Sequence, residues 1–313
     1  MRPLRSLVNA SVLACLCCSV WTPNGHNLAA DDGIESSSVI PIRRSTINEQ
    51  ELSLTVETIE EGTSSRRVRS AAIEQFPIQK LTPHGQQSAM GILDDLTLFR
   101  RLPVIEFEAD PQVYDFFADR PDVAVSIWRA MDISKVELDR KSPTLFETNT
   151  NDGTQGTVEV LLRDSENYIV MCRGEFKSPA LSSPIQAVAM MHLRPTFTPK
   201  GVRHQVDLYV SLPSDAIALI AKLISPISNR IADRNFEEIS LFVKMMSVAM
   251  TRQPGWVEAV ASRLEGVSEE DRGALLQTTA EVYVNACREE QRATGAAPTL
   301  EGILPPQITE AKP

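Results

Sequence analysis

The sequence predicts an α+β fold in which an antiparallel sheet is followed by a long amphipathic helix. About six segments between residues 135 and 212 have the length and apolar content of strands. Short turn sequences such as Asn151-Asp152-Gly153 separate several of them, and short connections favour antiparallel pairing. After Pro213 the apolar period lengthens from two to about 3.6 residues, which indicates helices.

Residues 1–30 have the order of a secretory signal peptide. Two arginines precede a mostly apolar run, and Leu28-Ala29-Ala30 then forms a small-residue cleavage site. A lipoprotein is the alternative, since Val12-Leu13-Ala14-Cys15 resembles a bacterial lipobox and would make Cys15 a lipidated N-terminus attached to a membrane. Both interpretations place the protein outside the cytoplasm, in the periplasm or cell envelope of a bacterium.

Residues 31–84 predict a disordered tether, because they are rich in Ser, Glu, Thr and Arg and lack a sustained apolar period. An ordered domain is expected over residues 85–265. It opens with a helix whose apolar face runs from Met90 to Phe99 and which Pro103 ends.

A strand at 104–109 and two short helices are expected next. Asp110 is a favourable N-cap residue, and Pro111 suits the first turn of the helix that follows it. Pro121 opens the second helix, which runs to Met131. These helices lead into the run of strands.

The strand candidates share alternating or continuous apolar patterns bounded by turn residues. They are Lys135–Arg140, Thr144–Asn149, Thr157–Arg163, Tyr168–Phe176, Gln186–Phe197 and Arg203–Leu212. In the last candidate, Val206, Leu208 and Val210 point one way, whereas Arg203 and Asp207 point the other way. This alternation predicts a sheet with one buried and one solvated face.

Helices are expected over the rest of the chain. A short piece at 216–224 precedes a long helix at 229–250, whose apolar stripe contains Phe236, Ile239, Phe242, Val243, Met246 and Met250. Further helices are expected at 254–292. Ser268 with Asp271 forms a capping box for a C-terminal helix within 266–295. Residues 296–313 are a Pro-rich, disordered tail.

Composition excludes several function classes. A net charge of −10 and a pI near 5.1 argue against nucleic-acid binding, which draws on clustered Lys and Arg. Four His and five Cys leave few candidates for a metal site, and none is predicted. Cys172 and Cys287 are candidates for a disulfide, which the sequence alone does not decide. The chain beyond the signal peptide has no nucleotide-binding, nucleophile-elbow or zinc-protease motif, and no cofactor or catalytic residue is predicted.

One local sequence resembles that of a known superfamily. Residues 107–119 (Phe-Glu-Ala-Asp-Pro-Gln-Val-Tyr-Asp-Phe-Phe-Ala-Asp), with Trp128 downstream, resemble the first strand and helix entry of the START and polyketide-cyclase (SRPBCC) superfamily, and the element order is similar over 104–250. The resemblance implies the helix-grip fold, in which a curved antiparallel sheet of about six to seven strands wraps around the long helix. It also implies a cavity for a lipid, sterol or other apolar molecule.

By this resemblance, the cavity is lined from the sheet and from the long helix. The expected ligand-binding residues are Val158, Val160, Met191, His204, Val206, Leu208, Val210, Phe236, Ile239, Phe242, Val243, Met246 and Met250. Methionines suit an adaptable apolar site, but they also fill irregular gaps in a plain core. His204 has the same two interpretations, a hydrogen-bonded core residue or a contact to a ligand's polar group.

Three functions follow as alternatives. The first is an exported, non-enzymatic protein that binds a hydrophobic small molecule or lipid. The second is a cell-envelope scaffold with a filled core, whose protein partner would contact the 254–292 helices at Trp256, Leu275, Leu276, Val282 and Tyr283. The third is a helix-grip enzyme of the cyclase or hydrolase type that uses His204 and a nearby carboxylate.

Overall fold

The computed structural model describes residues 55–150, 155–176, 185–213 and 226–295, and within these ranges the protein is an α+β domain. The predicted signal peptide with Cys15, the first part of the predicted tether, the 216–224 helix and the C-terminal tail lie outside the described residues. Within the described ranges, no helix combines the length and the apolar character needed to cross a membrane.

Nine strands and seven α-helices make up the described chain. The strands are β1 (Glu57–Glu60), β2 (Leu98–Arg101), β3 (Val104–Phe107), β4 (Glu137–Ser142), β5 (Leu145–Asn149), β6 (Gln155–Arg163), β7 (Tyr168–Phe176), β8 (Ile185–Thr198) and β9 (Gly201–Ser211). The helices are α1 (Arg66–Glu74), α2 (Pro83–Asp94), α3 (Pro111–Asp119), α4 (Pro121–Ala130), α5 (Pro226–Arg252), α6 (Pro254–Ala261) and α7 (Glu269–Ala293).

All nine strands form a single antiparallel sheet in the order β1-β3-β9-β8-β7-β6-β5-β4, and β2 also pairs with β9. The six strands expected between residues 135 and 212 are confirmed as the meander β4 to β9. The expected total of six to seven strands is too low. The first part of the long strand β9 pairs with β3, where Ile105 lies opposite His204. Its later part pairs with β2, where Phe99 lies opposite Tyr209.

One face of the sheet is covered by α3, α5 and the C-terminal helices. Asp110 caps α3 by accepting a hydrogen bond from the Gln112 amide, and Ser268 caps α7 by accepting one from the Asp271 amide, as the sequence predicts. The predicted apolar stripe of α5 packs in the same core as Val206 and Leu208 of β9. Helix α7 belongs to this core through two buried residues, Leu275 and Val282.

The opposite face of the sheet is also covered, which corrects two expectations. Residues 55–84 are not a tether throughout, because they contain β1, α1, a 3-10 turn at Ile78–Lys80 and the start of α2. Their side chains Ala72, Phe76 and Leu81 are buried in a second core under the sheet. This segment is mostly polar, but its few apolar side chains are buried together. The free energy of that burial orders the segment despite its polar composition.

The expected solvated face of β9 is therefore buried in part. Asp207 is 0% exposed, because Arg101 of β2 and Arg194 of β8 both donate hydrogen bonds to its carboxylate. Neighbouring Tyr209 is fully buried and donates a hydrogen bond to the Ala72 carbonyl oxygen, which ties α1 to the sheet. The charge of Asp207 in the alternating pattern of β9 thus predicted a solvent-exposed side chain, but the structure buries it in an ion cluster.

Phe99 is in a strand rather than at the end of a helix, which is a third correction. Helix α2 ends at Asp94, and the chain then pairs with β9, so that Phe99 contacts the Tyr209 ring at a centroid distance of 5.5 Å. Met90, expected on the apolar face, is 52% exposed.

Cys287 is a free cysteine, and a disulfide between Cys172 and Cys287 is therefore not formed.

Candidate functional site

A cavity of about 180 Å³ lies between the sheet and helices α3, α4 and α5. Strands β4 to β9 supply its floor, and the helices supply its roof. Its walls are apolar except for a few hydroxyl, imidazole and indole groups. A concave, mostly apolar site with few polar groups is the usual form of a small-molecule site.

Eight of the predicted ligand-binding residues line this cavity. They are Val158, Met191, His204, Val206, Phe236, Ile239, Phe242 and Val243. The structure thus brings the middle of the α5 stripe together with one face of the sheet. Whether any of them binds a ligand stays a prediction.

Five predicted residues do not line the cavity. Leu208, Met246 and Met250 are buried in the apolar core that also holds the C-terminal helices, so the end of α5 is covered by protein. Val160 and Val210 belong to an apolar cluster that contains Phe146 and borders the cavity through Val158. The alternating pattern of β9 identified the face of the sheet that lines the cavity. It does not show which positions on that face border the cavity and which pack against protein.

Much of the cavity wall was missed at the level of sequence. It comes from mostly apolar or aromatic residues on α3, on α4, just before β4 and on the strands β4 to β8: Tyr114, Phe117, Ala118, Pro121, Ala124, Val125, Trp128, Val136, Leu138, Thr148, Tyr168, Val170 and Leu193. The sequence predicted helix α3 from Asp110 and Pro111, but not its place in the cavity wall. No sequence signal distinguishes a residue against a cavity from one in a packed core.

A chain of hydrogen bonds fixes the polar corner of the cavity. Ser240 donates to the Phe236 carbonyl oxygen at 2.7 Å, so its hydroxyl oxygen accepts from His204 Nε2 at 2.8 Å. His204 Nδ1 then accepts from the Tyr114 hydroxyl at 3.1 Å. Both ring nitrogens of His204 are satisfied in the neutral form, which assigns the proton to Nε2.

His204 is also enclosed by aromatic rings. The Phe236 ring stacks on the imidazole at a centroid distance of 4.4 Å, and the Phe107 ring meets it edge-on at 5.1 Å. Burial lowers the pKa of His204 to about 3 and raises the pKa of Tyr114 above its ordinary value. Both groups are therefore uncharged at neutral pH.

Trp128 of α4 forms part of the roof. Its indole ring meets the Phe242 ring in a T-shaped contact with centroids 5.1 Å apart. Its Nε1 atom is buried and has no hydrogen-bond partner among the described residues. Most buried polar groups in proteins have a partner, so this donor requires an explanation.

Ion pairs tie the α3–α4 corner to the sheet beside the cavity. Arg163 of β6 contacts Asp119 at 2.6 Å, and Arg140 of β4 contacts Asp122 at 2.6 Å. The Arg163 guanidinium also lies 5.4 Å from the centre of the Tyr168 ring, which lines the cavity. These contacts hold the roof helices against the strands.

No protein-family model matches the sequence, and a search of curated proteins finds no significant relative. Across the described ranges, no group of His, Cys, Asp and Glu side chains is arranged to hold a metal ion. The cavity must therefore be interpreted from its own geometry and chemistry.

Proposed function

We propose that this protein is an exported, non-enzymatic carrier that binds a hydrophobic small molecule or lipid in a helix-grip-like cavity between the sheet and α5. The observation that carries the proposal is the cavity of about 180 Å³, whose walls are almost entirely apolar. Removing apolar ligand surface from water would drive binding at about 25 cal/mol per Å², before the costs of association.

The chemistry of the wall favours a carrier over an enzyme. No Asp or Glu is among the residues that line the cavity, whereas the enzyme alternative needs a carboxylate near His204. Instead, the imidazole contacts Tyr114 and Ser240, and its low pKa keeps it uncharged. A general acid or base works best with a pKa near the operating pH.

The scaffold alternative has less support. It needs a filled core and an exposed apolar patch on the 254–292 helices. Leu275 and Val282 are instead buried in the core, and Trp256, Leu276 and Tyr283 are half-buried. The large apolar side chains that are exposed in the described ranges are Ile59, Met90, Phe197 and Met245, and none of these four lies on the 254–292 helices.

Native mass spectrometry tests the carrier proposal. The protein would be purified from a bacterial periplasm, analysed intact, and then extracted with solvent for small-molecule and lipid analysis. We expect a reproducible apolar mass that is lost on denaturation. A clean apo mass that stays unchanged after exposure to a library of apolar molecules would contradict the proposal.

A matched pair of variants locates the bound molecule. Ala124 is buried on α4 and lines the cavity, so Ala124→Leu would fill part of it and displace the ligand. Ala130 lies on the same helix, half-buried and outside the cavity wall, so Ala130→Leu should leave the bound mass in place. Equal loss of ligand from both variants would indicate a different site.

Export is supported by the N-terminal sequence alone. Cleavage after Ala30 predicts a mature chain that begins at Asp31. Lipoprotein processing instead predicts a chain that begins at Cys15 and carries acyl groups. The intact mass of the protein from membrane and periplasmic fractions distinguishes the two, and an unprocessed chain in the cytoplasm would contradict export.

A further inference from the structure

Tightly packed protein borders the cavity in two directions. Toward the C-terminal end of α5, Met246 and Met250 are buried and pack in the same core as Leu275 of α7. Along the sheet, Val158 belongs to the apolar cluster that contains the fully buried Phe146. A long acyl chain that entered the cavity would therefore meet packed side chains in both of these directions.

The volume limits how much of a ligand the cavity can hold. An apolar cavity of about 150 Å³ is enough for benzene, whereas sites for drug-sized ligands usually measure about 300–1,000 Å³. A cavity of about 180 Å³ holds roughly seven to ten non-hydrogen atoms on this scale. The cavity is partly open to solvent, so the remainder of a longer molecule would stay in water and add little affinity.

The wall of the cavity is uncharged at neutral pH. Among the described residues that line it, none is Asp, Glu, Lys or Arg. Burial lowers the pKa of His204 to about 3, raises the pKa of Tyr168 to about 12 and raises the pKa of Tyr114 above its ordinary value. An ionised group inside the cavity would lose its water without gaining a counter-charge, which is strongly unfavourable.

Two arginines lie beside the cavity, and both are already paired with carboxylates. Arg163 contacts Asp119 at 2.6 Å and Asp115 at 3.6 Å. Arg140 contacts Asp122 at 2.6 Å. A ligand carboxylate at this corner would meet the aspartates as well as the guanidinium groups. These pairs therefore offer no net positive charge that could hold the head group of a fatty acid.

We infer that the cavity takes a compact, uncharged, apolar molecule of the size of a substituted benzene ring and excludes free fatty acids and phospholipids. The inference rests on the proposed carrier function and narrows its ligand class. The small volume and the packed surroundings limit the size of the ligand, and the lack of a counter-charge limits its charge. These two limits are independent, so each has its own experiment.

A homologous series of alkylbenzenes tests the size limit on the unsubstituted protein. Toluene to butylbenzene cover the range that the cavity can hold, and hexylbenzene and octylbenzene exceed it. Headspace gas chromatography above protein solutions would give their dissociation constants. We expect the affinity to rise about fourfold for each buried methylene and then to level off at butylbenzene or before it. A rise that continues to octylbenzene would overturn the size limit.

Two methionine substitutions show whether this cavity sets the limit. Met191 lines the cavity, so Met191→Ala should enlarge it and raise the affinity of hexylbenzene relative to butylbenzene by at least about fourfold. Met245 lies exposed on α5 outside the cavity wall, so Met245→Ala should leave that ratio unchanged. An unchanged ratio in Met191→Ala, or the same change in both variants, would overturn the assignment of the limit to this cavity.

Nitrobenzene and benzoate test the charge limit, because they have nearly the same shape and only benzoate is ionised at neutral pH. Either molecule is about large enough to fill the cavity, so benzoate cannot bury its ring and keep its carboxylate in water. In calorimetric titrations we expect benzoate to bind more than about tenfold more weakly than nitrobenzene. A smaller difference would show that a counter-charge reaches the ligand, and it would overturn the uncharged class.

The outcomes separate the inference from the proposed function. The alkylbenzene series and the nitrobenzene–benzoate pair need no substitution, so both limits are tested even if Met191→Ala does not fold. Binding of long-chain or ionised molecules in preference to compact neutral ones would overturn the inference and keep the carrier function. Failure of every apolar molecule to bind, together with a clean native mass, would overturn both.

Discussion

The two faces of the sheet are built from the same strands but packed in different ways. On the face toward α1 and α2, Met171, Met190, Tyr209 and Phe99 are direct cross-strand neighbours in one row, and they share a core with the Phe76 ring. On the face toward α3 to α5, a cavity of about 180 Å³ lies between the helices and the sheet. We call these the N-terminal face and the cavity face.

The proposed carrier function gives the two faces different roles, a division of labour that their packing would explain. Close packing stabilises the fold, because each buried methylene adds contacts and loses water. Incomplete packing gives up part of that stability and leaves space for a ligand. The N-terminal face supplies rigidity for the strands, and the cavity face presents a surface that a bound molecule can complete.

The largest expected effect of a single substitution comes from the ion cluster on the N-terminal face. Asp207→Asn should reduce the free energy of unfolding by about 3–5 kcal/mol, because it leaves the Arg101 and Arg194 guanidinium groups without their shared buried carboxylate. Urea denaturation followed by circular dichroism measures this loss.

Glu159→Gln is the control for Asp207→Asn. Glu159 pairs with His84 and Arg173, whose side chains are exposed, and such surface pairs contribute at most about 1 kcal/mol. If the two variants lost equal stability, the cluster around Asp207 would be no more important than a surface ion pair.

Adjacent methionines on β8 compare the faces directly. Met190 is fully buried on the N-terminal face, whereas Met191 lines the cavity and is half-buried. Met190→Ala should cost about 2–5 kcal/mol of unfolding free energy, because it creates a new cavity in a filled core. Met191→Ala enlarges an existing space and should cost clearly less. The same urea titrations give both values, and a reversed order would contradict the proposed division of labour.

Acid should destabilise the protein through one buried histidine on each face. Burial, followed by the nearby Arg194 charge, lowers the pKa of His192 to about 4, and burial lowers the pKa of His204 to about 3. An unfolded histidine titrates near 6.5, so below that pH the unfolded state binds protons that the native state does not. Stability should therefore fall from about pH 6.5 to pH 4 by about 1.4 kcal/mol per pH unit for each histidine.

The slope of the unfolding free energy against pH identifies the histidines that cause the loss of stability. His204→Asn should remove about half of the pH dependence between pH 6.5 and 4. Below about pH 4, Asp207 adds to the loss: burial raises its pKa, but hydrogen bonds from Arg101 and Arg194 outweigh burial and lower it overall. A native state whose stability does not change between pH 6.5 and 4 would contradict the buried neutral histidines.

The sequence predicted the cavity face better than the N-terminal face, for a physical reason. Strands β4 to β9 and helix α5 carry strong periodic patterns, and caps such as Asp110 and Ser268 mark the helix ends. Residues 55–84 are mostly polar and contribute a few buried side chains, such as Phe76, whose partners are more than 100 residues away in the chain. Composition over a window does not detect such long-range contacts.

The candidate site was predicted in part for a related reason. Alternation and the helical stripe showed which residues face inward, and Val206 and Phe236 do line the cavity. The same patterns included Leu208 and Met250, which pack against protein. A cavity forms where the packed elements leave a gap, so its position depends on where α3 and α4 lie relative to the sheet.

The smallest expected effect concerns the polar corner of the cavity face. Tyr114→Phe removes the hydroxyl that donates to His204 Nδ1, so the buried nitrogen loses its partner. The unfolding free energy should fall by about 1–2 kcal/mol, the cost of one unsatisfied buried acceptor. The pKa of His204 should stay low because burial is its cause, and a two-dimensional nuclear magnetic resonance titration of the imidazole measures it. If the imidazole instead titrated near neutral pH in this variant, the Tyr114 hydroxyl rather than burial would hold His204 neutral, and the cavity would be wetter than its apolar walls indicate.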